Sequence, residues 1–206
     1  MYKKRIILVS LLLAAFASCS EPPKTAQKAK EPEKPAEPVT GRYAFHQMFA
    51  AARSWSADIE ALKLNSINLP EVKPAEGKAA AWQVVFVSPS KMRAKTYTYS
   101  VVESEGNLHK GVFAGPEQSY SGPHGSTKPF IIAALKEDTD HAYKVAAGKS
   151  AEYMKKNPDK PIVYQLEITS RFPNPAWRVI WGESVSSSNY SILVDASTGQ
   201  YLETLH

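Results

Sequence analysis

Two stretches of the chain alternate apolar and polar residues around a tryptophan. Residues 81–86 and 176–181 match in kind at every position, with Trp82 and Trp177 at the same place in each. Alternation with a period of two is typical of a β-strand. Each stretch follows apolar residues at helical spacing. These two helical stripes are Phe45, Phe49, Ala52, Ser56 and Ile59, and Tyr143, Ala147, Ala151 and Met154. The pattern therefore predicts one unit of helix and sheet that occurs twice.

The remaining periodicity adds strands and turns to both units. Further strands are predicted at 62–69, 95–102, 108–113, 162–168 and 190–195, with a short last strand after a tight turn. Thr40 is placed to cap the first helix near Gly41. Periodicity leaves two assignments open for the apolar residues 130–135, an edge strand or a short helix.

Composition divides the folded part of the chain in two. The segment that begins at Ala114 is rich in Gly, Pro and Ser, which is typical of a loop. We therefore predict an α+β fold of two tandem modules, each a helix packed on a small antiparallel sheet. Module 1 comprises residues 41–114, the linker residues 115–127 and module 2 residues 128–206.

A sequence motif in the second unit resembles a known family. The unit carries a helix, a strand, the pattern W-x-V at 177–179 and a strand that ends in V-D-A-x-T-G at 194–199. This order resembles the PepSY family over residues 138–205, and the match is degenerate in the first unit. Asp195 and Gly199 suit a turn, because Gly adopts positive φ and Asp can bind the amides two or three residues on. The resemblance implies small α+β modules with non-catalytic roles, such as control of peptidases or binding at the cell envelope.

The first residues predict export and a lipid anchor. Lys3, Lys4 and Arg5 precede the apolar run 6–16, which is too short to span a bilayer. Residues 17–19 resemble the end of a bacterial lipobox, so residues 1–18 are a predicted signal peptide and Cys19 is the predicted lipidation site. The alternative is ordinary cleavage after the A-x-A pattern at 15–17, which gives a secreted soluble protein.

The segment after the cysteine is a predicted tether. Residues 19–40 contain five prolines and balanced Lys and Glu residues, a composition that favours an extended chain. Ser20 is typical of lipoproteins that reach the outer membrane. We therefore expect a location in the bacterial cell envelope, anchored by lipid to a membrane, expected to be the outer one, and facing the periplasm.

Charge and motifs exclude several functions. The formal net charge of +5 falls to +2 once the signal peptide is removed, and no basic run remains, so no nucleic-acid partner is expected. The five histidines lack ligand spacing, and no nucleophile elbow, phosphate loop or dinucleotide motif occurs. The sequence therefore predicts no catalytic residue, cofactor or metal ligand.

Aromatic residues on the predicted strands are the remaining candidates for a binding surface. The predicted partner or ligand surface comprises Tyr97, Tyr99, Tyr164 and Tyr190. The strands also carry apolar residues on the faces away from their helices, among them Val85, Val87, Ile180 and Leu193, so we expect the sheets to pack or run together and leave a cleft.

Three functions remain open. The first is a non-catalytic envelope lipoprotein that binds or regulates a peptide or protein partner, such as a peptidase. The second is a small-ligand binder with an aromatic cleft between the modules. The third is an envelope hydrolase, which needs a convergent acid, base and nucleophile.

Overall fold

A computed structural model describes residues 35–106, 108–124 and 128–206. The predictions for the signal peptide, for Cys19 and for the tether before residue 35 lie outside the described residues. The helices are α1 (Gly41–Ala52), α2 (Thr139–Lys149) and α3 (Ala151–Lys156), with a 3-10 turn at Ile132–Ala134. The strands are β1 (Val39–Thr40), β2 (Glu60–Ile67), β3 (Lys78–Ala79), β4 (Ala81–Ser88), β5 (Arg93–Ser100), β6 (Gly111–Ser119), β7 (Ile162–Ile168), β8 (Pro175–Trp181), β9 (Ser191–Asp195) and β10 (Tyr201–Leu205). Within these ranges, no helix has the length and apolar character needed to cross a bilayer.

The main sheet is antiparallel and continuous across both halves of the chain. Its order is β10-β9-β8-β7-β2-β4-β5-β6, so the strands follow chain order outward from the central pair β2 and β7. The short strands β1 and β3 pair separately. Residues 35–206 form one compact unit. The predicted α+β class is confirmed, and the two sheets run together edge to edge.

One core under the helices joins the two halves. Trp82 and Trp177 are fully buried, and their ring centroids lie 6.3 Å apart in an edge-to-face arrangement. The indole N–H of Trp82 donates to the carbonyl of Val39, two residues before α1. The indole N–H of Trp177 donates to the carbonyl of Glu137, two residues before α2. Each tryptophan therefore fixes the start of one helix to the sheet.

The apolar residues on the other face of the sheet are covered by nearby segments. Val87 is fully buried and packs with Leu62, Ala94 and Tyr120. Ile180 is 1% exposed and borders the loop that follows β8. Edge-to-edge joining keeps the two sheets from packing face to face, so local segments provide this cover.

The first helix and its cap differ from the prediction. The predicted stripe continues to Ile59, but α1 ends at Ala52. The Asp58 carboxylate accepts bonds from the hydroxyls of Ser56 and Ser88 and from the amide of Ser90, which fixes a polar turn after the helix. These bonds hold the pKa of Asp58 well below its usual value. The helix begins at Gly41 as predicted, but the Thr40 side chain forms no capping bond.

Other boundaries also need correction. The predicted closing strand 108–113 lies instead at Gly111–Ser119, because Arg93, Ala94 and Lys95 of β5 pair with residues 117–119 of the predicted linker. The second helix is interrupted at Ser150, whose φ of −119° and ψ of 15° are not helical. In the segment 130–135, Phe130 bridges to Ala61 and the 3-10 turn follows.

The turn in the V-D-A-x-T-G motif is formed as predicted. Asp195 accepts bonds from the amides of Ser197 at 2.7 Å and Thr198 at 2.9 Å, and Gly199 has a φ of 74°. Burial alone would raise the pKa of Asp195, but the bonds from Asn174, Ser197 and Thr198 outweigh it and lower the pKa. The motif therefore shapes the backbone between β9 and β10.

Candidate functional site: an exposed sheet edge

Burial corrects the expectation that the four tyrosines form an open surface. Tyr97 and Tyr164 are 3% exposed and Tyr190 is 8% exposed. Tyr97 packs on Phe86, and Tyr164 stacks on Trp82 and accepts a bond from the amide of Gly77. Their strands turn these rings toward the helices. Tyr99 is half-buried and remains accessible.

Tyr164 also borders a cavity between the halves of the chain. Its volume is about 520 Å³, and it lies between residues 73–76 and 158–162. Tyr143 lines it too, but both tyrosines are buried, which leaves little aromatic surface for a ligand. Burial raises the pKa of Tyr143 and of Tyr164, so both hydroxyls stay protonated at neutral pH.

A more accessible apolar surface lies where the sheet ends at β6. Val112 is 38% exposed, Phe113 is 43% exposed and Tyr43 of α1 is 48% exposed. Val112 lies opposite Tyr99 in the strand register, and the Tyr43 and Tyr99 rings meet edge to face at 5.8 Å. Phe113 lies on the other face of the sheet, where its ring centroid is 4.8 Å from that of His109. We call Tyr43, Tyr99, Val112 and Phe113 the edge patch.

The backbone beside the edge patch can accept another strand. In the described part of the chain, β6 pairs on one side only, with β5. Alternate residues of an edge strand direct their N–H and C=O groups outward. A register shift between Lys95 and Tyr97 and the proline at 116 disturb the second half of β6. The capacity for pairing is therefore greatest at residues 111–115, beside the edge patch.

Tyr99 of the edge patch is uncharged at neutral pH. Burial, together with the hydrogen bond and charge of Tyr43, raises the pKa of Tyr99 to about 12. The edge-to-face pair of the Tyr43 and Tyr99 rings favours an apolar partner segment. Further along β6, the indole N–H of Trp55 donates to Glu117 at 2.8 Å.

The pKa of Tyr99 provides a first prediction. A Tyr43→Phe variant should lower the pKa of Tyr99 from about 12 toward its ordinary value, because the neighbouring hydroxyl is lost. NMR titration of ring-labelled tyrosine, assigned with Tyr99→Phe, measures this. Since the folded-state pKa of Tyr99 is raised, its protonated hydroxyl contributes to the free energy of unfolding. That contribution should be complete below pH 10 and lost as the pH rises through about 12. An unchanged pKa would contradict the described contact.

Most of the edge patch was not among the predicted site residues. Tyr43 lies off the Phe45 and Phe49 stripe, so a helix at Gly41 leaves it on an exposed flank. Val112 and Phe113 are consecutive, and a strand points consecutive side chains to opposite faces. Two adjacent apolar residues near a Gly-Pro segment could have indicated a strand at the edge of the sheet.

The described residues show no clustering suited to a metal. Within them, no group of three or more His, Cys, Asp and Glu side chains could hold an ion.

These observations define an α+β protein with helices on one face of an eight-stranded antiparallel sheet. The structure is similar to the crystal structure of a presumed lipoprotein from Clostridium difficile 630, with a TM-score of 0.47 and 8% identity. That alignment covers 84% of this chain and 95% of that chain. No known family model and no curated protein matches the chain.

Proposed function

We propose that this protein is a non-catalytic lipoprotein of the bacterial cell envelope that binds an extended segment of a peptide or protein partner at β6. The observation that carries the proposal is the edge patch beside an edge strand with unpaired backbone groups. Strand addition to a sheet edge is a common mode of peptide recognition, in which backbone bonds give affinity and side-chain contacts give specificity.

The proposal includes a tandem PepSY-like organisation. Support comes from the two tryptophans, each of which donates to the carbonyl two residues before a helix. Further support comes from the order of the strands, which follows the chain outward on both sides of β2 and β7. Since a fold does not determine a function, the proposed role depends on the edge patch.

The geometry indicates which segment would bind. A strand added beside β6 would place one side chain near Tyr43 and Val112, and the next on the opposite face near Phe113. Apolar surface on both faces favours two consecutive apolar residues in the partner. The proline at 116 limits pairing beyond residue 115, so we expect a core recognition segment of four or five residues.

A peptide-display library tests this function. We expect selected peptides to contain two consecutive apolar residues and to protect the amides of residues 111–115 from hydrogen exchange. Val112→Lys should weaken binding at least tenfold, because it removes apolar contact and places a charge on the edge.

Tyr201→Lys is the matched control. Tyr201 is 39% exposed, close to the 38% of Val112, and it lies on β10 at the opposite edge of the sheet. This variant should bind selected peptides normally. Equal losses in both variants, or selected peptides that leave residues 111–115 unprotected, would contradict binding at β6.

The anchor is tested separately. We expect Cys19→Ser to move the protein from the membrane fraction to the soluble fraction. Mass spectrometry of the mature wild-type N-terminus should show an acylated Cys19. An unmodified N-terminus at residue 18 or 19 would refute the anchor and leave binding at β6 intact.

A further inference from the structure

The two halves of the sheet separate at one end of their junction. The β2–β7 ladder includes Asn65 opposite Gln165, and the backbone pairing ends there. Beyond it, the Tyr164 amide donates to the Ser66 hydroxyl at 2.8 Å, and the Asn68 side-chain amide donates to the Ile162 carbonyl at 3.1 Å. Side chains therefore replace the ladder, which opens the sheet on the side away from the helices.

A groove lies over this opening. Two cavities of about 370 Å³ and about 350 Å³ share Ser66, Val163 and Glu183 in their walls. We call this space the seam groove. Val163 supplies apolar surface, and the side-chain amide of Asn65 supplies donors and an acceptor. Its size falls within the range of small-ligand sites.

Glu183 marks one end of the seam groove, and Lys63, which is paired with Glu167, marks the other. Glu183 follows the end of β8, where Trp181 lies opposite Ile162. Lys63 lies opposite Glu167, with 3.8 Å between its ammonium and that carboxylate. Ile162 and Glu167 are about 17 Å apart along β7, at about 3.4 Å per residue.

An unpartnered acceptor lies at the acidic end. The side-chain oxygen of Asn68 is buried and has no hydrogen-bond partner among the described residues, while its amide nitrogen donates to Ile162. Asn68 and Glu183 line the same cavity. A buried carbonyl oxygen without a donor costs free energy, and a ligand N–H would remove that cost.

We infer that the seam groove binds a short peptide with free termini. Its ammonium group lies at Glu183 and the Asn68 oxygen, and its carboxylate lies toward Lys63. Three residues span about 10 Å, and the long Lys63 and Glu183 side chains close the remaining distance. Small apolar side chains suit the surface formed by Val163. This site is distinct from β6 and does not depend on strand addition there.

Isothermal titration calorimetry of the folded protein with trialanine tests the inference. We expect trialanine to bind, and both its N-acetyl form and its C-terminal amide to bind at least tenfold more weakly, because each loses a charge-assisted contact. Glu183→Gln should weaken trialanine about tenfold without changing the affinity for the N-acetyl form. Lys63→Gln should weaken trialanine about tenfold without changing the affinity for the C-terminal amide.

Two control variants complete the design. Glu152→Gln removes an exposed carboxylate from α3 and should leave trialanine binding unchanged. Val112→Lys should also leave it unchanged, which separates this site from β6. No binding at millimolar trialanine, equal affinity for the blocked peptides, or unaltered affinity in both groove variants would overturn the inference.

Discussion

Replacing either Trp82 or Trp177 by alanine should lower the free energy of unfolding by about 3–5 kcal/mol. Both side chains are fully buried, and each donates a bond to the carbonyl that precedes a helix. The substitution creates a cavity and also leaves that carbonyl without its indole partner. Urea unfolding followed by circular dichroism measures the loss.

The two losses should be similar, because the two tryptophans have equivalent roles. Their rings also contact each other at 6.3 Å, so the double variant should not show the sum of the single losses. A double-mutant cycle measures this coupling. Losses that differ by more than about 2 kcal/mol would contradict equivalent roles, since one cavity would then be much costlier than the other.

Trp55→Ala is the control for these variants. Trp55 is half-buried at the border of the core and donates to Glu117 at the surface, so its loss should cost clearly less than the loss of Trp82 or Trp177. A comparable cost at Trp55 would show that the effect of losing a tryptophan does not depend on full burial in the shared core.

The sequence predicts the elements better than their assembly. The strand around Trp177 and the turn after Asp195 follow from local periodicity and local side-chain bonds, and both form. The continuous sheet depends on pairing between Asn65 and Gln165, which lie a hundred residues apart. No local pattern identifies such a pair, because a polar residue on a strand could face any neighbouring strand.

The candidate site shows the same limit. The four predicted tyrosines were selected as aromatic residues on strands, a property that core residues share. Which strand ends the sheet decides exposure, and periodicity does not reveal strand order. Tyr97 and Tyr99 both lie beside β6 on the same face, yet Tyr99 stays accessible whereas Tyr97 packs against Phe86 in the core, a difference that periodicity does not reveal either.

Thr139→Val should lower the free energy of unfolding by about 2–4 kcal/mol. Thr139 is fully buried, and its hydroxyl accepts a bond from the Gly41 amide at 2.9 Å and donates to the Gly77 carbonyl. It thereby joins the starts of α1 and α2 to the segment before β3. Valine has nearly the same shape but leaves two buried backbone groups without this partner, so thermal or urea unfolding should report their desolvation cost.

Thr98→Val provides the matched comparison, because the same substitution there should cost almost nothing. The Thr98 hydroxyl is buried and has no hydrogen-bond partner among the described residues, so its removal takes away an uncompensated polar group. Valine also suits a strand, and a small gain in stability is the expected sign. A large loss at Thr98 would show that a Thr→Val change is costly even where no hydrogen bond is lost. A loss below about 1 kcal/mol at Thr139 would show that the Gly41–Thr139–Gly77 bonds do not hold the halves together.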